Sequence, residues 1–159
     1  MTPDVLLRDV RADDLPIFFE YQRDPIANDM AAFPARDQEA FTAHWKKIAD
    51  DASVVAKVIV YAGEVAGHVV SWGPPEERLV GYWIGRDYWG NGIATRALSQ
   101  FLPLLHERPL FAHVAKHNLA SLRVLHKCGF TTAGEAKLPA DANGVEIDDL
   151  ILRLDDGRM

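Results

Sequence analysis

Cysteine occurs once, as Cys128, so the chain cannot close an internal disulfide. Without a disulfide framework, a reducing, cytoplasmic setting is the expectation. Long apolar runs are missing as well. No stretch approaches the roughly 20 residues that a helix needs to cross a bilayer. The opening MTPDVLLRDVRADD carries acids where a signal peptide has a basic and then an apolar region. A membrane is therefore not an expected partner. Positive charge is scarce: 17 Lys and Arg stand against 23 Asp and Glu, a net charge of −6. Phosphate-backbone binding needs clustered cations, so nucleic acid is not an expected partner either. An acidic chain suits a cationic substrate such as an amine, although acidity also serves solubility alone. The six histidines (44, 68, 106, 113, 117 and 126) have no Cys-linked spacing, and no metal site is expected. Repeats and low-complexity tracts are absent.

What is present is ordinary globular material. A chain of 159 residues, 48 % hydrophobic, is enough for one domain (1–159) with a real core. VLLRDV (5–10) reads as a strand. Asp13 or Asp14 can cap a helix through LPIFFEYQRD, with Pro16 in its first turn. RDPIANDM reads as a break. A helix is expected from Asp37 to about Asp50, where Phe41, Trp45 and Ile48 recur on one face. SVVAKVIVYAGEVAGHVVSW (53–72) reads as a β-hairpin and LVGYWIG (79–85) as a third strand of the meander. A helix from Gly92 to about Glu107, a strand at 109–115, a helix at 118–127 ended by Gly129, and two strands (TTAGEAKL, VEIDDLILRL) complete the chain. This order predicts an α+β fold, a single mixed, mostly antiparallel sheet of about seven strands flanked by about four helices.

Two stretches carry chemistry. In DYWGNGIATRAL (87–98), Gly90 and Gly92 directly precede a helix. A helix N-terminus offers unpaired N–H groups and a partial positive charge, and glycines let a ligand approach the backbone closely. The same pattern also serves as a plain strand-to-helix turn. A Walker loop is excluded by the missing GK[ST], and a dinucleotide fingerprint by the missing GxGxxG. In AKHNLASLRVLHKCGF (115–130), Asn118 opens a short helix and Ser121 follows three residues later, with Leu122 and Leu125 on a buried face. Alone, Asn118 reads as a helix cap and Ser121 as a solvated serine.

Together the two stretches resemble the GNAT superfamily of acetyl-CoA-dependent N-acetyltransferases, and within it the branch of ribosomal-protein N-terminal acetyltransferases. WGNGIA (89–94) is similar to that family's [QR]xxGx[GA] pyrophosphate loop, with Trp89 departing at the first place. Asn118, Ser121, Lys127, Gly129 and Phe130 match its NxxSxxxxxKxGF signature. The resemblance implies acetyl-CoA as co-substrate, an amine acceptor that is either a small molecule or a protein N-terminus, and dimers as a common assembly. It implies that backbone groups near Ile84 and Arg86 pair with the pantetheine arm. Trp89, Gly90, Asn91, Gly92, Ile93, Ala94 and Thr95 would hold the pyrophosphate, and Asn118 and Ser121 would lie along the groove. Many relatives protonate the leaving thiolate with a tyrosine whose place here is Leu125. Ser121 is then the remaining hydroxyl, either assisting the sulfur or merely touching the cofactor.

The acceptor must be neutral when it attacks. The base is open between Glu76, Glu77, His113 and water, and Asp148 or Asp149 can bind an ammonium. Cys128 reads as a small core residue. Tyr82, Trp83, Tyr88 and Trp89 read as core, with one ring walling the acceptor pocket. The loops expected to choose the acceptor are 23–37, GPPEER and PADANG. The expected activity is acetyl transfer by direct attack without a covalent enzyme intermediate. A non-catalytic acyl-CoA-binding module is the alternative.

Overall fold

The computed structural model describes residues 3–139 and 146–155. The chain runs β1 (Val5–Asp9), α1 (Leu15–Tyr21), α2 (Pro25–Ala31), α3 (Gln38–Asp50), β2 (Val55–Tyr61), β3 (Glu64–Trp72), β4 (Arg78–Ile84), α4 (Ile93–Phe101), β5 (Leu110–Ala115), α5 (Leu119–Lys127), β6 (Thr131–Pro139) and β7 (Glu146–Leu154). The strands form one 7-stranded sheet in the order β1-β2-β3-β4-β5-β7-β6. Every neighbouring pair is antiparallel except β4 and β5. The expected mixed, mostly antiparallel α+β sheet is what forms.

Strand alternation sends side chains to two separate cores, as a period of two requires. On one face Ile59, Val69, Val80, Leu110, Ala112, Val114 and Leu152 pack against Ile93, Leu98 and Phe101 of α4 and Leu122 and Leu125 of α5. On the other, Val58 and Val70 meet Phe18 of α1 and Phe41 and Trp45 of α3. The Phe41 and Trp45 stripe read from the sequence is the buried face of α3.

Three local readings are corrected. RDPIANDM is no break: it contains α2, started by Pro25 at N1 and by the Asp24 carboxylate accepting from Ile26 N–H (3.0 Å). Asp14 does not cap α1 with its side chain. Its buried carboxylate instead takes both Arg8 guanidinium nitrogens (2.8 and 2.9 Å) and Arg11 N–H (2.7 Å). The fourth helix stops at Phe101, six residues short of Glu107, and passes into a 3-10 turn, Leu102–Leu104, whose Pro103 cannot donate to an α-helical ladder. The chain therefore has five α-helices among its described residues.

Candidate active site

Arg78 explains where the site begins. It is 2 % exposed and forms no ion pair with a carboxylate among the described residues. Its guanidinium donates to the Ser71 hydroxyl (3.0 Å) and to the carbonyls of Gly73 (2.7 Å), Ser71 (3.0 Å) and Ser53. A buried charge is tolerable when its donors are satisfied in this way. The side chain thus anchors the first residue of β4, where β4 meets β5.

That meeting is brief. Only Arg78↔Leu110 and Leu79↔Phe111 pair. Beyond them each strand keeps its outer partner, β4 staying with β3 as far as Gly67↔Ile84 and β5 with β7 as far as Ala115↔Asp149. A wedge opens between the two strands. Backbone groups of Val80–Ile84 on this side have no strand to bond, a condition that water or a ligand must relieve.

The wide end of the wedge leads to the glycine turn. Gly90 and Gly92 have φ of 82° and 71°, and Gly92 is the N-cap of α4 without a side-chain cap. The first helical bond runs from Arg96 N–H to the Gly92 carbonyl (3.2 Å). The N–H groups of Ile93, Ala94 and Thr95 are thus helix-start donors with no helical partner. A Cβ on either glycine would meet no protein atom within 4 Å, so open space lies above the turn. Asn91 braces the loop by donating to the carbonyls of Tyr88 (3.1 Å) and Trp89 (3.3 Å). The Trp89 indole N–H donates to the Ile84 carbonyl (2.9 Å) and closes the loop back onto the end of β4.

The third wall is α5. Asn118 caps it, its side-chain oxygen accepting from Ser121 N–H (3.2 Å). Leu122 and Leu125 are buried, so Leu125 is a packing residue in the core. Gly129 (φ 100°) lets Phe130 N–H return to the Leu125 carbonyl (3.0 Å), a Schellman-type ending. Ala120, Arg123, Val124 and Lys127, spaced i, i+3, i+4, i+7, face the cleft. Ser121 is no free surface hydroxyl: its Oγ lies 2.9 Å from the Tyr82 hydroxyl of β4.

These walls enclose a cleft of about 540 Å³. It brings together the predicted Ile84, Trp89, Gly90, Gly92, Ile93, Ala94, Thr95, Asn118 and Ser121. Asn91 and Arg86 do not line it. Arg86 pairs with Asp24 (2.9 Å) and so ties the end of β4 to the start of α2. The far wall is Ala27, Met30 and Ala31, which lie within the 23–37 segment expected to choose the acceptor but stand on the helix α2 and not on a loop. His117 holds that helix, its Nε2 standing 2.8 Å from the Asp29 carbonyl. Trp83 turns its ring toward α1 and α2, donating to the Tyr21 carbonyl (3.2 Å) and meeting Phe33 edge-on at 6.2 Å.

The open candidates for the base fall outside this lining. Glu76 and Glu77 sit in a single turn before β4, at the opposite end of that strand from the glycine loop. His113 is exposed on β5. His113 and His117 are four apart, a spacing that joins two rings on a helix, but here one is on a strand and the other in the following turn. Asp149 is buried (8 % exposed), and burial raises its carboxyl above the usual range, with His113 and His117 pulling it back. Cys128 packs behind α4, its sulfur 3.7 Å from the Thr95 carbonyl and outside the cleft lining. Among the described residues no three His, Cys, Asp or Glu side chains gather as metal ligands, and no helix is long and apolar enough to cross a membrane. PADANG, apart from Pro139, lies outside the described residues.

Comparisons with known proteins agree with this geometry. Residues 4–131 match the family described as acetyltransferase (GNAT) domain. A probable N-acetyltransferase, YjcK of Bacillus subtilis (strain 168), is 32 % identical over 96 residues, which is 58 % of this chain and 53 % of that protein. The chain thus spans about half the length of this curated relative. A GNAT-family acetyltransferase from Bacillus anthracis superposes with a TM-score of 0.81 at 18 % identity, covering 99 % of this chain and 98 % of the other. The spermidine N-acetyltransferase of Vibrio cholerae, solved with CoA and spermine, gives 0.80 at 17 % identity over 94 % of both chains. A ribosomal-protein-alanine N-acetyltransferase from Brucella melitensis gives 0.79 at 22 %, covering 94 % of this chain and 99 % of that one. At these identities the likeness is one of fold. With a family match over most of its length and the parted strands and glycine turn in place, the chain belongs to the GNAT acetyltransferases.

Proposed function

We propose that this chain transfers an acetyl group from acetyl-CoA to a primary amine, a small molecule or a protein N-terminus, by direct attack and without a covalent enzyme intermediate. The observation that carries this reading is the wedge between β4 and β5, which opens onto three unpaired helix N–H groups. A long arm ending in a diphosphate fits that shape. The amides of Ile93, Ala94 and Thr95 would take the diphosphate at the positive end of α4. Arg123 and Lys127 add cationic charge on the same rim. The free edge of β4 would pair with the amides of the arm and fix the thioester.

Bound acetyl-CoA supplies an activated acyl group. The chain's own task is to orient it, stabilise charge and keep water out. An N–H of β4 near Ile84 is the donor for the developing oxyanion. Ser121 is the catalytic side chain we assign, donating a hydrogen bond to the departing sulfur. The acceptor enters from the α2 side, past Met30 and Trp83. It loses its ammonium proton to water, forms the C–N bond as the C–S bond breaks, and its second proton ends on the sulfur. Cys128 lies outside the cleft, and the Ser121 hydroxyl has no His, Asp or Glu among the lining residues to activate it as a nucleophile. We place the reaction in the cytoplasm on the same basis as before, a chain with one cysteine.

The binding-only alternative draws on one fact: Leu125 is buried in the core at the place where many relatives have a tyrosine. Purified protein, acetyl-CoA and a panel of primary amines separate the two readings. CoA release above hydrolysis, with an acetylated product found by mass spectrometry, supports catalysis. Acetyl-CoA binding without release supports the module.

A further inference from the structure

The Tyr82–Ser121 contact is the feature of the cleft that neither the loop nor the wedge explains. We propose that Tyr82 is a positioning residue for the leaving-group step, its hydroxyl donating to Ser121 Oγ so that the single remaining O–H of the pair, on Ser121, points at the departing sulfur. This rests on the acetyl-transfer reading above.

Two hydroxyls 2.9 Å apart hold one hydrogen between them and have one left over. Which one donates inward is set by acidity. A phenol (pKa about 10) is the stronger donor and an aliphatic hydroxyl the better acceptor. Tyr82 reaches Ser121 because β4 turns alternate residues to opposite faces: Tyr82 and Ile84 pack toward α4 and α5, while Trp83 points to α1 and α2. Ser121 is in place because Asn118 caps the helix onto Ser121 N–H. Tyr82 also lies beyond Leu79, the last β4 residue paired with β5, so it stands inside the wedge. An arm entering at the glycine turn and following β4 inward passes Ile84 and arrives at Tyr82 and Ser121, both of which line the cleft.

Burial pushes the Tyr82 phenol up to about 12, and the Ser121 contact works against that rise. A thiol is more acidic than such a phenol, about 8.5 for a cysteine, so transfer of the phenolic proton to a thiolate is uphill. The pair therefore does not surrender a proton. The electron pair of the breaking C–S bond goes to sulfur, the Ser121 O–H hydrogen-bonds it, and the proton that completes the thiol comes from the attacking nitrogen through water. Tyr82 locks the Ser121 rotor and polarises its O–H, as hydrogen-bond chains do. Two residues from different elements thereby stabilise the departing sulfur by a hydrogen bond alone, without the proton transfer that the resemblance implies for a helical tyrosine.

The test needs no acceptor. CoA is bound to wild type, Tyr82→Phe, Ser121→Ala and the double variant, and its thiol is titrated by thiolate ultraviolet absorbance. The wild-type complex should titrate at least about one unit below free CoA measured in the same buffer. Ser121→Ala should return it to the free value, Tyr82→Phe should fall between, and the double should equal Ser121→Ala. In turnover, kcat should fall about tenfold to a hundredfold in Ser121→Ala, the low end of acid–base assistance. It should fall about threefold to tenfold in Tyr82→Phe, with the Kd for CoA held within about threefold, and the double should match Ser121→Ala because the two act as one unit. Phenylalanine keeps the ring, so the melting temperature reports that the fold is intact. An unchanged thiol pKa in Tyr82→Phe overturns the proposal, as do kcat losses that multiply in the double variant. A protein that binds CoA with the predicted thiol shifts yet acetylates no amine supports this inference and refutes the catalytic reading instead.

Discussion

Gly92 separates two roles that a glycine at a helix start can play. Its φ of 71° lies where a side chain strains the backbone, and its absent Cβ leaves open space above the α4 amides. Since an added Cβ would touch no protein atom within 4 Å, the cost of Gly92→Val to stability is strain alone. For a left-handed residue that is roughly 1–2 kcal/mol, more for a β-branched side chain. In a domain of this size it lowers the melting temperature by about 2–8 °C. The cost to binding is separate: the isopropyl group fills the space above the donors of Ile93 to Thr95. We expect the Kd and KM for acetyl-CoA to rise at least tenfold, about 1.4 kcal/mol. Gly92→Ala and Gly92→Asn divide the two contributions. Asn tolerates the left-handed region, so it should recover much of the stability while binding stays weak. Calorimetric titration and thermal unfolding on the same samples decide it. Weakened stability with an unchanged acetyl-CoA Kd in all three variants would reduce the glycine to a turn former and refute the diphosphate assignment.

Three further outcomes follow from the structure. His68 is packed edge-on to Phe18 (4.7 Å) and Trp45 (4.9 Å), and its Nδ1 is buried with no hydrogen-bond partner among the described residues. Burial, with His44 nearby, pushes its pKa down to about 3 from the usual 6.5. The folded ring is neutral while the unfolded ring takes a proton below 6.5, so stability is undiminished above that pH and declines as pH falls from 6.5 toward 3. By linkage the loss at pH 5 is up to about 2 kcal/mol, and His68→Leu should flatten the profile in urea melts at pH 7, 6 and 5. An unaltered pH slope in that variant would disprove the assignment. Arg78→Ala strands the Ser71 hydroxyl and three carbonyls, so denaturation should show a loss of roughly 1–3 kcal/mol. A loss under about 1 kcal/mol would contradict the anchoring role of this side chain. His117→Ala removes the contact to the Asp29 carbonyl and should raise KM for the acceptor more than for acetyl-CoA; equal changes would remove α2 from the acceptor site.

The sheet was legible because each strand had a periodic or Val-rich run bounded by turn residues. The hairpin at 53–72 became β2 and β3, and the α3 stripe of Phe41 and Trp45 became buried surface. The glycine turn was legible because its signal is local, two glycines and the helix that follows. What escaped was set by distance in sequence. Ser121 looks solvated in its helix, and only the pairing of β3 with β4 and the capping of α5 bring Tyr82, 39 residues away, to its hydroxyl. The helix α2 escaped because RDPIANDM has too few apolar residues for a stripe, and its start lies in one Asp24–Pro25 cap. The wedge escaped because it is a failure of pairing, and no residue type in β4 or β5 announces where two strands part.

The central claim is that the β4–β5 wedge and the α4 amides hold acetyl-CoA for transfer to an amine. The most direct measurement is release of CoA thiol from the purified protein given acetyl-CoA and a primary-amine panel, run beside Gly92→Val. The account predicts amine-dependent CoA release with wild type, an acetylated amine of matching mass, and loss of that release at sub-saturating acetyl-CoA in the variant. Tight acetyl-CoA binding with no release above hydrolysis for any amine, or release that Gly92→Val leaves unchanged, would contradict it.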